Sequence, residues 1–241
     1  WENAAWRALA NNSVCYTEKP DMETFMREWM SLVESKSGER GVFNREACKS
    51  IARKHGRRNP DYDFGCNPCS EISLRPYQFC NLTEVVVRST DSVEDLERKV
   101  RCATILGTIQ STYTKFPAIT CVKPSGTVSQ LVDSASGIHS RHSPYYVRTV
   151  RGDNKDPLTQ FMKDSGIPNE PEFNKPEQTT VFSFPVKAPD NAVTRNDMTA
   201  IEQLEMWLTY QRHFCEHKPS VTVSVRDEEW MEVGAFVYKH F

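Results

Sequence analysis

The stretch Tyr62-Asp63-Phe64-Gly65-Cys66-Asn67-Pro68-Cys69-Ser70-Glu71-Ile72-Ser73-Leu74-Arg75-Pro76-Tyr77-Gln78-Phe79-Cys80-Asn81-Leu82 decides how this chain is read. It follows neither the helical nor the strand period, and it carries Gly65, Pro68, Pro76 and three cysteines. A long loop is therefore expected over residues 62–82, and a long loop inside a compact domain usually carries function. Within it Asn67, Cys69 and Glu71 occupy alternate positions, so an extended backbone would project an amide, a thiol and a carboxyl to the same side. One small molecule could meet all three.

Working outward, apolar residues at three- and four-residue intervals predict helices over 1–12 and 21–34, the second capped by Asp21 ahead of Phe25, Met26, Trp29 and Met30. Residues 35–44 read as a loop with Gly38 and Gly41, and 45–55 as a helix before the basic, Pro-ended stretch 56–60. Downstream, Val85, Val86 and Val87 predict a short strand, and 92–113 a helix with Leu96, Val100, Ala103, Ile105 and Leu106 on or near one face. Strands over 145–150, 179–184 and 220–225 alternate with helices over 157–164, 197–215 and 228–238, and 168–176 is a Pro-rich surface connection. Strands separated by helices predict an α/β fold with parallel strand pairs. There is no internal repeat and no low-complexity tract.

A chain of 241 residues with 38% hydrophobic content can bury a real core in one large domain or two small ones. Thirty basic residues against 32 acidic ones leave a net charge of −2, which provides no global field for a polyanion, so no nucleic-acid partner is expected. No apolar run approaches a bilayer span and the first residues lack a signal peptide, so a soluble, cytoplasmic protein with no membrane partner is expected. Eight irregularly spaced cysteines fit reduced or catalytic thiols better than a disulfide framework. The start at Trp1 and the finish at Phe241, inside an apparent amphipathic helix, read as cut ends.

A second stretch, Lys123-Pro124-Ser125-Gly126-Thr127-Val128-Ser129, is rich in small and hydroxyl residues just before an apolar helical run. Such a turn exposes backbone N–H groups and a positive helix end, and a phosphate could bind there; an ordinary Ser/Thr-capped helix after a Pro turn is the plainer reading. Cys66-x-x-Cys69 could be half of a zinc site, but no second pair follows at workable spacing. A thioredoxin-like motif would need a helix directly after it, which Pro76 and the polar run oppose. The cysteines could also merely pack in a core. His213 and His217 lack the Glu of a metalloprotease helix and read as packing or surface residues, without a metal. Trp207, Tyr210 and Phe214, and separately Trp230, Phe236 and Val237, read as core.

Taken together, Asn67-Pro68-Cys69-Ser70-Glu71, Cys80 within Phe79-Cys80-Asn81-Leu82-Thr83-Glu84, and the stretch 123–129 resemble ribonucleotide reductases. Ser136-Gly137-Ile138-His139, Tyr145-Tyr146-Val147-Arg148 and the stretch from His217 to Val225 resemble the monomeric, adenosylcobalamin-dependent, triphosphate-using class. The resemblance implies a cysteine-bearing finger loop inside a ten-stranded α/β barrel, and reduction of ribonucleotides to 2′-deoxyribonucleotides. It implies that Cys69 is the thiyl radical that takes the ribose 3′-hydrogen, that Glu71 is the base on the 3′-hydroxyl, and that Asn67 holds the ribose and Glu71. Cys80 would supply reducing equivalents as the 2′-hydroxyl leaves as water, ending in a disulfide. Pro124, Ser125, Gly126, Thr127, Val128 and Ser129 would bind the substrate phosphates. Adenosylcobalamin, a thioredoxin-like or dithiol reductant and an allosteric deoxynucleotide effector are implied as cofactor and partners.

The resemblance runs over nearly all of the chain, with family elements missing before Trp1, between Pro117 and Cys121, and after Phe241. A fragment, an internally deleted form or one piece of a split enzyme is therefore expected. It would comprise a partial barrel domain over 1–241, with a helical segment (1–60), the finger loop (61–84) and alternating strands and helices (85–241). Two alternatives stand beside this reading: a diphosphate reductase with a separate radical subunit, and a non-catalytic nucleotide-phosphate binder.

Overall fold

A computed structural model describes residues 13–36, 41–112 and 118–241. The helix expected over 1–12, part of the loop expected over 35–44, and Phe116 and Pro117 lie outside the described residues. The chain divides into two compact units, one formed by Trp1–His139 with Thr199–Phe241 and the other by Ser140–Met198.

In the larger unit, β1 (Ser13–Tyr16) pairs in parallel with β2 (Gly41–Asn44), and α1 (Met22–Ser35) lies between them in sequence. Asp21 caps α1 by accepting the Thr24 N–H at 2.8 Å. The apolar stripe of α1 places Phe25 and Trp29 in a core with Ala200 of α6 (Ala200–His213) and Val233 of α7 (Trp230–Lys239). Gly234 is required there, because a Cβ at this position would come within 2.6 Å of the Trp29 indole nitrogen. Sequence reading placed 41–44 in a loop. A four-residue strand has no visible period, and its partner, β1, is fixed only by tertiary pairing.

Asn44 caps α2 (Arg45–His55) at the Ala47 N–H, and Gly56, at φ 65°, ends it in the left-handed conformation. Cys48 and Ala52 of α2 bury against Phe43 and the fully buried Phe64. This second core anchors a minimal hairpin, β3 (Gly65–Cys66) against β4 (Ser73–Leu74), so the long loop expected over 62–82 contains a short antiparallel pair. Arg45 donates to the Phe64 carbonyl at 2.9 Å, and the Cys48 sulfur lies 3.2 Å from the Ser73 hydroxyl. α3 (Val93–Thr112) and a single turn of helix, α4 (Val128–Leu131), complete this unit with α6, α7 and a short 3-10 turn at Asp227–Glu229.

Two expected strands are not strands. Around Val85, Val86 and Val87 the chain pairs with no strand, and the Val86 carbonyl accepts from Lys99 of α3 at 3.1 Å instead. Over 220–225, Val223 and Val225 pack on the first core as their pattern requires. The backbone there forms no named strand: the Ser220 N–H donates to the Val122 carbonyl at 2.8 Å beside a parallel bridge of Val122 and Pro219, and the Ser224 N–H donates to the Gln203 amide oxygen at 3.4 Å.

The smaller unit is a three-stranded antiparallel sheet in the order β5 (Tyr145–Asp153), β7 (Thr179–Lys187), β6 (Asn169–Pro171). Parallel pairing was expected here. The strands instead run antiparallel and bury mainly one face, around Phe182, as antiparallel sheets commonly do. α5 (Pro157–Asp164) packs its buried Thr159 over Gly152, where a Cβ would come within 2.4 Å of the threonine hydroxyl. The stretch 168–176 is exposed as expected, yet it contributes β6 at the sheet edge.

The architecture is thus α/β in small sheets, and the seven strands of the described residues form no closed ten-stranded barrel. No described helix is long and apolar enough to cross a membrane.

Candidate active site

The site is built on the turn that joins β3 to β4. The Asn67 N–H donates to the Ile72 carbonyl at 3.2 Å and the Ser70 N–H to the Asn67 carbonyl at 2.8 Å, which closes the turn with Ser70 at φ 63°. This corrects the extended backbone expected from alternation. A turn, not a strand, brings Asn67 and Glu71 together, and it sends Cys69 to the exposed tip. The burial expected for Cys69 is not provided by the described residues.

Asn67 and Glu71 are both buried, Glu71 completely. The Asn67 amide uses both of its polar ends: Oδ1 accepts the Ile72 N–H at 2.9 Å, and Nδ2 donates to Glu71 Oε1 at 2.6 Å. An aspartate could make the first contact but not the second at neutral pH. Lys123 Nζ donates to the same Oε1 at 2.5 Å, and the Lys218 N–H donates to the Glu71 carbonyl at 3.0 Å. Glu71 Oε2 is sealed from solvent and has no hydrogen-bond partner among the described residues.

The lysine ties the two motifs into one place. Burial opposes its charge, but the hydrogen bond and negative charge of Glu71 outweigh it and hold Lys123 above the ordinary lysine value. Cys80 is half-buried in a cleft lined by Arg58, Gln78, Cys121 and His217. In the same region burial, then the nearby Cys215 and Glu71, push the Cys121 thiol up to about 12, so it stays protonated at neutral pH.

Buttresses surround the turn. His217 accepts the Ser73 N–H on Nδ1 at 3.2 Å and lies 3.2 Å through Nε2 from the Ala118 carbonyl, which makes it a neutral imidazole with its proton on Nε2. Burial, with help from Arg58, drives its pKa down to about 4. The buried Glu216 takes Arg57 on both carboxylate oxygens, at 3.3 and 2.5 Å, together with the Ile119 N–H at 2.9 Å. Burial would raise the Glu216 carboxyl, but the Arg57 and Ile119 hydrogen bonds outweigh it and hold it low. Arg58 crosses the Phe64 ring and donates to the Ser73 carbonyl at 2.8 Å.

The stretch 124–129 forms a compact turn. The Ser125 N–H donates to the Ser136 hydroxyl at 2.8 Å and the Ser129 N–H to the Ser125 hydroxyl at 2.9 Å, while the buried Ser129 hydroxyl donates to the Ser125 carbonyl. Gly126, Thr127 and Val128 stay exposed. The helix that follows is a single turn and Thr127 makes no side-chain cap, so little helix dipole faces the turn. Gly137, at φ 59°, passes so close to this stretch that a Cβ would lie 2.7 Å from the Lys123 carbonyl. His213 is exposed, and among the described residues no group of three or more His, Cys, Asp or Glu is arranged to hold a metal ion.

The sequence names Asn67, Cys69, Glu71, Cys80 and the 124–129 turn as candidates and reads His217 as a packing or surface residue, but it points to no role for Lys123, Arg57 or Glu216. Lys123 opens the second motif, and nothing local in the sequence shows that its partner lies 52 residues upstream.

No protein-family model matches the chain. It is 34% identical over 110 residues to the adenosylcobalamin-dependent ribonucleoside-triphosphate reductase of Euglena gracilis, covering 46% of this chain and 15% of that protein. The Lactobacillus gasseri protein of the same name is 29% identical over 125 residues, covering 50% of this chain and 17% of the relative. A probable adenosylcobalamin-dependent ribonucleoside-triphosphate reductase of Dictyostelium discoideum is 24% identical over 221 residues, covering 67% and 29%. Among solved structures, a B12-dependent class II ribonucleotide reductase aligns at a TM-score of 0.46 and 19% identity, over 87% of this chain and 29% of that one. The chain spans less than a third of the length of each of these relatives.

Proposed function

We propose that this chain, a sequence relative of the adenosylcobalamin-dependent ribonucleoside-triphosphate reductases, carries the part of such an enzyme that acts on the ribose ring. The observation that supports this best is Glu71: a fully buried carboxylate with one oxygen held by Asn67 and Lys123 and the other left without a partner. An unsatisfied buried acceptor costs about 1–3 kcal/mol, which a donated substrate hydroxyl would recover.

In this reading a ribonucleoside triphosphate places its sugar against the turn. Cys69 takes the 3′-hydrogen atom, Glu71 accepts the 3′-hydroxyl proton on Oε2, and Asn67 fixes the angle of the carboxylate. Loss of the 2′-hydroxyl as water is then driven by Cys80, whose place in a cleft suits delivery of reducing equivalents. A second thiol and an external reductant, a thioredoxin-like protein or a small dithiol, complete the cycle. The turn at the exposed Thr127 and Val128 receives the phosphates, while Ser125 and Ser129 hold it in shape through their mutual hydrogen bonds. Adenosylcobalamin, when bound, supplies the radical equivalent to the Cys69 sulfur, and the exposed position of that thiol at the turn tip suits an outside generator. A deoxynucleotide effector site, a cytoplasmic location and membership of a single barrel domain are carried as parts of the same proposal.

The test is deoxyribonucleotide formation by the longest reading frame that contains these residues. Turnover with adenosylcobalamin that is lost in Cys69→Ser supports the proposal. Turnover that survives omission of the cofactor points to a reductase with a separate radical source, and turnover that survives Cys69→Ser removes the radical assignment.

A further inference from the structure

The contacts of the Glu71 carboxylate are uneven. Oε1 receives two donors, Asn67 Nδ2 at 2.6 Å and Lys123 Nζ at 2.5 Å, whereas Oε2 receives none and is shut off from water. Asn67 cannot set this pattern alone, because a neutral amide leaves the carboxylate charge uncompensated in a fully buried position. Lys123 brings the charge. Its side chain is 29% exposed, so the ammonium keeps some solvation while reaching inward to a carboxylate with no exposure at all. Its backbone is fixed from the other side: the next residue is Pro124, and Gly137 packs against the Lys123 carbonyl with no room for a side chain.

The geometry points to Lys123 as the positioning residue for the general base: it clamps Oε1 and brings a positive charge to Glu71, so that Oε2 is the oxygen left to accept from a substrate hydroxyl. This rests on the function proposed above, since it assigns Glu71 the proton of a substrate hydroxyl. No bond to Lys123 forms or breaks. The proton moves from the hydroxyl to Oε2, and the ammonium keeps all three of its own. Loss of Lys123 leaves a buried carboxylate held by one amide, a state that relaxes by taking up a proton. A protonated Glu71 cannot accept another.

Isotope-edited infrared spectroscopy of the chain, with 13C-carboxyl glutamate, tests the clamp without any activity. Wild type and Lys123→Arg show only carboxylate bands at neutral pH, and Lys123→Met gains a carboxylic-acid C=O band that disappears in the Lys123→Met/Glu71→Gln double variant. A folded Lys123→Met protein without that band overturns the assignment. Should Lys123→Met not fold, Lys123→Gln, which can donate a hydrogen bond but carries no charge, is read by the same criterion. In the reductase assay, kcat falls about tenfold or more in Lys123→Met, within the 10²–10⁴ that a placed base contributes, with KM little changed and recovery in Lys123→Arg. An infrared result as expected with no reductase activity in any form refutes the nucleotide reading and leaves the clamp standing. An unchanged kcat in an active enzyme refutes the positioning role.

Discussion

Mild acid should loosen the larger unit through one imidazole. His217 is buried between the Ser73 N–H and the Ala118 carbonyl, and its pKa falls to about 4 from 6.5. Protonating Nδ1 would abolish its role as acceptor for Ser73 and set a second cation beside Arg58, with Glu216 and Glu71 as the facing anions. The unfolded chain binds this proton below pH 6.5 and the folded chain only near 4. The contribution is therefore complete above 6.5 and is lost as pH falls through that window, at about 1.4 kcal/mol per unit. By pH 5 the loss comes to roughly 2 kcal/mol. Glu216, whose carboxyl is held low by Arg57, protonates below its ordinary 4.5, so the interval from 6.5 to 5 belongs to the imidazole. All five tryptophans lie in the sequence of the larger unit, so their fluorescence reports on it in urea titrations at pH 7.5, 6 and 5. His217→Gln keeps polar atoms at this position without the ionisation. It should be less stable at pH 7.5 but lose about 2 kcal/mol less than wild type on moving to pH 5. Equal losses in the two proteins would refute the burial argument.

Two other outcomes follow from the same geometry. Gly137→Ala combines a left-handed φ with a Cβ 2.7 Å from the Lys123 carbonyl, so it should cost roughly 2–4 kcal/mol in urea unfolding and displace Lys123. If it costs under about 0.5 kcal/mol, the close approach is not real. Adding a ribonucleoside triphosphate should slow amide hydrogen exchange at Thr127 and Val128, with little change at the Ser125 and Ser129 amides, which are already bonded internally. Slowing spread evenly over the unit would argue against a phosphate at this turn.

Features that depend on near neighbours were legible. Asp21 and Asn44 cap α1 and α2, and Gly56 ends the second, because capping needs only a side chain within three residues or a permissive φ. The start expected for α6 was three residues early for an equally local reason. Asp197 bonds back to the Thr194 N–H and hydroxyl at 2.7 Å, and Thr199 takes the cap with Glu202. Strands were harder, since a run such as Val85-Val86-Val87 shows that residues suit a strand and not whether a partner is at hand. The site divides along the same line. Asn67 and Glu71 lie close in sequence and stand out as one motif, whereas Lys123 with Glu71 and Arg57 with Glu216 join residues 52 and 159 positions apart. The exposure of Cys69 follows from a turn of six residues whose left-handed Ser70 no alternation rule predicts.

Single-turnover reduction of a ribonucleoside triphosphate carrying deuterium at the ribose 3′-carbon, by the longest reading frame containing these residues, tests the central claim most directly. Slower product formation than with unlabelled substrate, together with no product in Cys69→Ser, is the predicted result. Equal rates for the two substrates, or product formed without the Cys69 thiol, would contradict the account.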